Sequence, residues 1–293
     1  MRLGRPPEIV FRGRAMRRDR ALIMAIVNRT PDSFYDRGAT FGRDQALAAV
    51  ERAVADGADI VDIGGVKAGP GAVVDVPEEV RRVVPFVAEV RDRFPELAIS
   101  VDTWRHEVGR LACEAGADLL NDTWAGADPK LAEVAAEFGA GYVCTHTGGA
   151  APRTRPHRAA FTDVVADVVD EVTGRADALV RAGVPAAGIL IDPTHDFGKN
   201  TWHSLELTRR FAQLTGTGWP VLAALSNKDF IGEALDLAVP DRVTGSLAVT
   251  AVCAWEGAAV FRAHNIAETR EVLEMVAVVS GRKAPARAVR GLA

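Results

Sequence analysis

The chain has 293 residues, 48% of them hydrophobic, which is ample for one large α/β core and excludes a predominantly disordered protein. A formal net charge of −4, with basic residues spread along the chain, argues against a nucleic-acid surface but leaves small acidic ligands open. Cys113, Cys144 and Cys253 are odd in number, far apart and without Cys-x-x-Cys spacing, so neither a disulfide framework nor a zinc site is expected and the chain reads as reduced and cytoplasmic.

In chain order, residues 1–20 form a basic N-terminal extension whose seven arginines adjoin no apolar segment, unlike a secretory signal. Ala21 to Val27 is apolar but too short to span a bilayer, so no membrane association is expected. It is the first of eight predicted strands. The others are Ile60 to Ile63, Leu97 to Val101, Leu119 to Leu120, Gly141 to Thr145, Ile189 to Ile191, Pro220 to Leu225 and Ala259 to Phe261. Helical periodicity falls between them, at Gln45 to Ala55, Glu78 to Arg93, Trp104 to Glu114, Lys130 to Phe138, Phe161 to Ala182, Leu205 to Thr215, Val239 to Trp255 and Ala267 to Val279. This βα alternation predicts an α/β fold, a single-domain (β/α)8 TIM barrel over residues 21–280, followed by a loose basic tail at 281–293. A doubly wound sheet is the runner-up, although no Gly-x-Gly-x-x-Gly follows the first strand.

Polar chemistry follows every strand: Asn28, Asp62, Asp102, Asn121 with Asp122, His146, Asp192, Ser226 with Lys228, and Arg262 with His264. Ile189 to Lys199 shows it most sharply, an apolar run that ends in a carboxylate, a proline and a glycine. In a parallel barrel these ends converge on one mouth, where carboxylates, amides, a lysine and an arginine suit a flat polar heterocycle beside an anion. Each residue taken singly has a plainer reading. Asp102 before Thr103 and Asp122 before Thr123 fit helix caps or turns, His106 and His203 fit a helix surface, and Lys228 fits a solvated loop.

The motifs together are more specific. Val-Asn-Arg-Thr-Pro-Asp-Ser-Phe (27–34), Asp-Ile-Gly-Gly (62–65), Val-Asp-Thr (101–103), Asn-Asp-Thr (121–123), Asp-Pro (192–193), Phe-Gly-Lys (197–199), Ser-Asn-Lys (226–228) and Phe-Arg-Ala-His (261–264) occur in this order. From about Leu22 to Met275 the chain resembles dihydropteroate synthase, the (β/α)8 enzyme of folate synthesis in the pterin-binding family. That resemblance implies joining 6-hydroxymethyl-7,8-dihydropterin diphosphate to p-aminobenzoate with release of Mg²⁺-bound diphosphate, by a homodimeric protein. It places Asp102, Asn121, Asp192 and Lys228 on the pterin, with Asp102 and Lys228 as the catalytic pair. It places Asn28, Arg262 and His264 on the diphosphate, and Asn28 on Mg²⁺. The residue types make sense, since a pterin edge alternates donors and acceptors and a carboxylate beneath the ring offsets developing positive charge.

The departures lie on the acceptor side. Where the family reads Asp-Ile-Gly-Gly-Glu-Ser-Thr-Arg-Pro-Gly, this chain has Val66, Lys67, Ala68 and Gly69 in place of Glu, Ser, Thr and Arg. Ser-Arg-Lys has become Ser-Asn-Lys, and Gly-Ile-Gly has become Thr194-His195-Asp196. Lys67, Ser226, Arg153 and Arg155 are the acceptor-side candidates, the two arginines as replacements for lost positive charge. These departures resemble those of an actinobacterial second copy of the synthase. The reading is a synthase-type transferase with p-aminobenzoate or a related arylamine as acceptor. The alternatives are a pterin-binding paralogue with little or no synthase activity and a methyltetrahydrofolate-binding methyltransferase.

Overall fold

The structure, a computed structural model, describes residues 8–17, 19–30, 42–154 and 160–290. Pro31 to Phe34 and Arg155 lie outside them. An antiparallel hairpin, β1 (Val10–Phe11) and β2 (Arg14–Ala15), precedes eight parallel strands. These are β3 (Leu22–Asn28), β4 (Ile60–Gly64), β5 (Ala98–Asp102), β6 (Leu119–Asp122), β7 (Gly141–Thr145), β8 (Ile189–Asp192), β9 (Leu222–Ala223) and β10 (Val260–Ala263). Their order is β8-β7-β6-β5-β4-β3-β10-β9, and a parallel bridge between Ile191 and Val221 joins the two ends into a barrel. The helices are α1 (Arg43–Ala55), α2 (Val76–Arg93), α3 (His106–Glu114), α4 (Lys130–Phe138), α5 (Val164–Arg181), α6 (Thr201–Arg209), α7 (Ala212–Thr215), α8 (Asp229–Leu235), α9 (Val243–Trp255) and α10 (Ile266–Val279).

The strands are apolar on both faces because each face has its own core. One face, with Ile23, Ala25, Val61, Ile63, Ile99, Val101, Leu120, Ile191 and Phe261, packs against the helices. The alternate residues Leu22, Met24, Ile60, Ala98, Leu119, Val143, Leu190, Leu222 and Val260 cluster inside the barrel. Side chains alternate along a strand, so the same inward face continues upward as Asn28, Asp62, Ser100, Asp102, Asn121, Asp192 and Arg262. The inner barrel is thus apolar at its N-terminal end and polar at its C-terminal end. The register supports this, with Asn28 beside Gly64, Gly64 beside Asp102 and Asp102 beside Asn121.

Periodicity did not disclose three features. The extension folds under the barrel as the hairpin, where Ile9 and Phe11 join the inner cluster and Arg12 donates to the carbonyls of Cys113 and Ala117 at 2.8 and 3.0 Å. Its register of two residues per strand is too short to show an alternation. The expected helix Leu205 to Thr215 is instead α6 and α7, because Asn200 and His203 form a capping box that starts α6 early and Phe211 is buried at the break. Helix α8 is short and directly follows the Ser226-Asn227-Lys228 loop, so its turns fell inside what read as a connection.

The hairpin ring is the closure of the barrel floor. A Cβ on Gly141 would lie 2.4 Å from Phe11 Cδ1, so this glycine leaves the room that Phe11 fills. Phe11→Ala is expected to destabilise the protein by about 3–5 kcal/mol in urea unfolding. A loss below about 1 kcal/mol would mean that the hairpin only rests on the barrel.

Candidate functional site

The loops after the strands enclose a cavity of about 450 Å³. Its lining includes Asn28, Lys67, Asp102, Phe197, Ser226, Lys228, Arg262 and His264. Asn121 and Asp192 are buried, 4% exposed each. The structure therefore brings seven of the predicted residues, Asn28, Asp102, Asn121, Asp192, Lys228, Arg262 and His264, to the same end of the barrel.

Asp62 is the hub of the polar layer. It accepts hydrogen bonds from Ser100 Oγ at 2.6 Å, Asn121 Nδ2 at 3.1 Å and Arg262 Nε at 2.6 Å. Arg262 also reaches Asp102 Oδ2 at 3.1 Å, and Thr123 Oγ1 donates to Asp102 Oδ1 at 2.7 Å. Burial penalises the Arg262 charge, but Asp62 and Asp102 outweigh that penalty and raise its pKa. Burial pushes the Asp102 carboxyl up to about 7, with Asp62 adding to the rise and Arg262 and Thr123 opposing it. Asp62 stood among the strand-end residues in sequence, but nothing there showed that three partners from other strands converge on it.

Asp192 is raised by burial, against the pull of the Thr194 N–H, Lys228 and Lys199. Thr194 N donates to Asp192 Oδ1 at 2.7 Å. Lys228 Nζ lies 4.5 Å from the centre of the Phe197 ring, and Phe197 meets Trp124 edge-on at 5.4 Å. Lys199 is buried and lowered to about 7, chiefly by desolvation, while its ammonium donates to the carbonyls of His146, Thr194 and Phe197 at 2.9, 3.2 and 2.9 Å. The Phe-Gly-Lys motif was visible in sequence, but not that Lys199 ties this loop to the end of β7. Ser226 Oγ lies 3.0 Å from His264 Nδ1.

The plainer readings hold elsewhere. Asp122 points away from the mouth and accepts from Tyr142 Oη and the amides of Trp124 and Gly126. His106 pairs with Asp128 at 2.7 Å, and His203 completes the cap of α6. Arg153 Nε and Nη1 donate to the carbonyls of Gly69 and Ala72 at 3.3 and 2.8 Å. The loop after β4 is also held by Arg82 on Gly65 O at 3.0 Å and Arg105 on Val74 O at 2.7 Å.

The altered loops keep backbone shapes that favour glycine. Thr194, Asp196 and Asn227 have φ of 52°, 71° and 58°. A β-branched residue is costly there, and local bonds offset the cost. Thr194 Oγ1 donates to Asp192 O at 2.9 Å and accepts from His146 N at 3.2 Å, while the Asp196 carboxylate accepts from Ser204 Oγ and Phe230 N at 3.1 and 3.3 Å.

A closed parallel barrel with a carboxylate, amide and lysine set beside an arginine and histidine defines a class of protein that binds a flat, polar, anion-bearing molecule at the barrel mouth. Residues 24–264 match the family model described as pterin binding enzyme, and the chain belongs to that family. It is 59% identical over 285 residues to "Inactive dihydropteroate synthase 2" of Mycobacterium leprae, covering 96% of this chain and 98% of that protein. It is 38% identical to the dihydropteroate synthase of Haemophilus influenzae over 254 residues, 86% of this chain and 92% of that one. The Yersinia pestis dihydropteroate synthase, solved in a complex with a sulfonamide drug, superposes with a TM-score of 0.89 at 33% identity, covering 94% of this chain and all of that one.

The raised Asp102 carboxyl makes a signed prediction. A group whose pKa is higher folded than unfolded contributes stability at low pH that is lost as the pH rises through the folded value. On going from pH 8 to pH 5 the parent protein should therefore gain stability relative to Asp102→Asn, by about 1 kcal/mol or more. Chemical denaturation at the two pH values measures it. A parent that loses ground on acidification would show that Arg262 holds the carboxyl low.

Proposed function

We propose that the barrel mouth binds 6-hydroxymethyl-7,8-dihydropterin diphosphate as a dihydropteroate synthase-type transferase site, with transfer to p-aminobenzoate slow or lost. The observation that carries this reading is the intact Asp62–Arg262–Asp102 cluster beneath a cavity whose acceptor side has lost its usual arginines. Asp192 and Asn121 suit the donor and acceptor edge of the pterin, and Lys228 suits its carbonyl side. Asp102 lies where it can offset positive charge at the methylene carbon as diphosphate leaves. Arg262, Asn28 and His264 suit the departing anion.

The donor set also fits Mg²⁺ in a particular way. Asp62 and Asp102 are engaged by Arg262, and Asn28 offers a neutral oxygen on the anion side. Mg²⁺ binds through phosphates and water with few protein ligands, so Asn28 would be the protein's contribution, and the ion would neutralise charge on the leaving group. The name of the Mycobacterium leprae relative favours a second reading, a paralogue that holds the pterin without turnover. A homodimer is proposed as well. Helix α9 carries apolar residues all round, and Val252 and Trp255 on it, with Met275 and Val279 on α10, are exposed as a face for a second copy. No described helix is long and apolar enough to cross a membrane, and three buried free cysteines suit a reduced, cytoplasmic setting.

Purified protein mixed with the pterin diphosphate, Mg²⁺ and p-aminobenzoate is the direct test. Dihydropteroate formed at roughly 1 per second, or within two decades of it, is typical enzyme turnover and would overturn the slowed-transfer reading. Asp192→Asn exchanges an acceptor for a donor in a buried charge-assisted contact, so calorimetry should show pterin affinity falling by about 2–4 kcal/mol, roughly thirtyfold to a thousandfold. Unchanged affinity would remove Asp192 from the site. Ala68→Thr with Gly69→Arg should raise p-aminobenzoate binding or turnover through a restored guanidinium fork. If the double variant behaves as the parent does, the deficit lies at Asn227 or at residues 194–196.

A further inference from the structure

The loop after β8 takes an unfavourable course. Thr194, Asp196 and Gly198 have φ of 52°, 71° and 60°, so left-handed residues alternate along it. It is also pressed against the chain that follows β7, where a Cβ on Gly198 would lie 1.9 Å from Thr147 O. A backbone in this state persists only when its surroundings hold it, and Lys199 supplies the ties. An ammonium has three N–H donors, and those of Lys199 go to the carbonyls of His146, Thr194 and Phe197 at 2.9, 3.2 and 2.9 Å. Lys199 lines the cavity, yet these bonds commit its donors to the loop rather than to a ligand.

Two of those carbonyls belong to residues that shape the mouth. Thr194 N donates to Asp192 Oδ1 at 2.7 Å, and Thr194 Oγ1 donates to Asp192 O at 2.9 Å. Holding Thr194 by its carbonyl therefore sets which way the Asp192 carboxylate turns. Phe197 lines the cavity, with its ring centre 4.5 Å from Lys228 Nζ. A neutral donor would tie the loop without the cost of burying a charge. Lys199 is a buried cation instead, and its field opposes the rise that burial imposes on the Asp192 carboxyl.

We propose that Lys199 is a positioning residue for ligand recognition: by tying Thr194 and Phe197 to the end of β7, it sets the Asp192 carboxylate against the ring of a bound pterin. It acts through Asp192 and not by touching the ligand. This inference rests on the pterin-site reading, because Asp192 must meet the ring.

The test is calorimetry with 6-hydroxymethyl-7,8-dihydropterin on the full chain, at a temperature where thermal unfolding shows the parent and its variants folded. Lys199→Met, similar in length but without a donor, should bind the pterin about tenfold weaker or worse. In an Asp192→Asn background the same change should cost less than about threefold, because two residues that act as one unit are not additive. Lys199→Ala should regain most of its lost affinity when propylammonium is added, since this cation replaces the missing atoms and the cavity gives it a way in. Unchanged affinity in Lys199→Met, an equal loss in both backgrounds, or no recovery with propylammonium would overturn the proposal. Failure of both Lys199 variants to fold would make the residue part of the fold alone and overturn it as well. A parent that does not bind the pterin would overturn the site reading itself.

Discussion

The guanidinium of Arg262 reaches from β10 across the barrel interior to carboxylates on β4 and β5. A buried charge persists only when it is paired and hydrogen-bonded, so this contact demands that strands distant in sequence end at matching heights. The register meets that demand, with Asp62 opposite Ser100 and Asp102 opposite Asn121, and the Ser100 hydroxyl and Asn121 amide both donate to the Asp62 carboxylate. The apolar layer below, sealed by Phe11, keeps water from the floor and makes the electrostatic layer above it stronger. The polar mouth and the apolar floor are therefore two halves of one alternating strand pattern.

Some of the backbone strain lies around the same mouth. Thr194, Asp196 and Asn227 adopt left-handed conformations in the loops that border the cavity, where residues with side chains carry a cost of order 1–3 kcal/mol each. The first two are offset by side-chain bonds, whereas Asn227 is not, despite being an amino acid that tolerates this region well. Asn227 and the altered loop residues Lys67, Ala68 and Gly69 border one cavity.

Arginine has also changed its work here. Arg82, Arg105 and Arg153 donate to carbonyls of the loop after β4, from Gly65 through Val74. Arg153 reaches two carbonyls at once, while Arg82 and Arg105 each give one donor to a carbonyl and one to a carboxylate, Glu78 and Glu79 respectively. Arg153 thus fastens its own loop to the loop after β4.

The alternation of apolar runs with helical periodicity was enough to expose the barrel, because strand faces that both need covering leave an unbroken hydrophobic record in sequence. The polar residue after each run located the mouth for the same reason, and the motif order identified the family before any geometry was known. Contacts between strands left no such record. That Asp62 gathers Ser100, Asn121 and Arg262, that Lys199 anchors one loop to another, and that the Asn227 side chain lies buried with no hydrogen bond among the described residues follow from how the barrel closes, which sequence spacing does not encode. The hairpin escaped for a simpler reason: two-residue strands have no period to read, and only their packing against the floor gives them a place. Sequence determined which residues reach the mouth, since alternation and strand ends are local properties; tertiary structure alone decided which of them pair, because pairing depends on distances across a closed barrel.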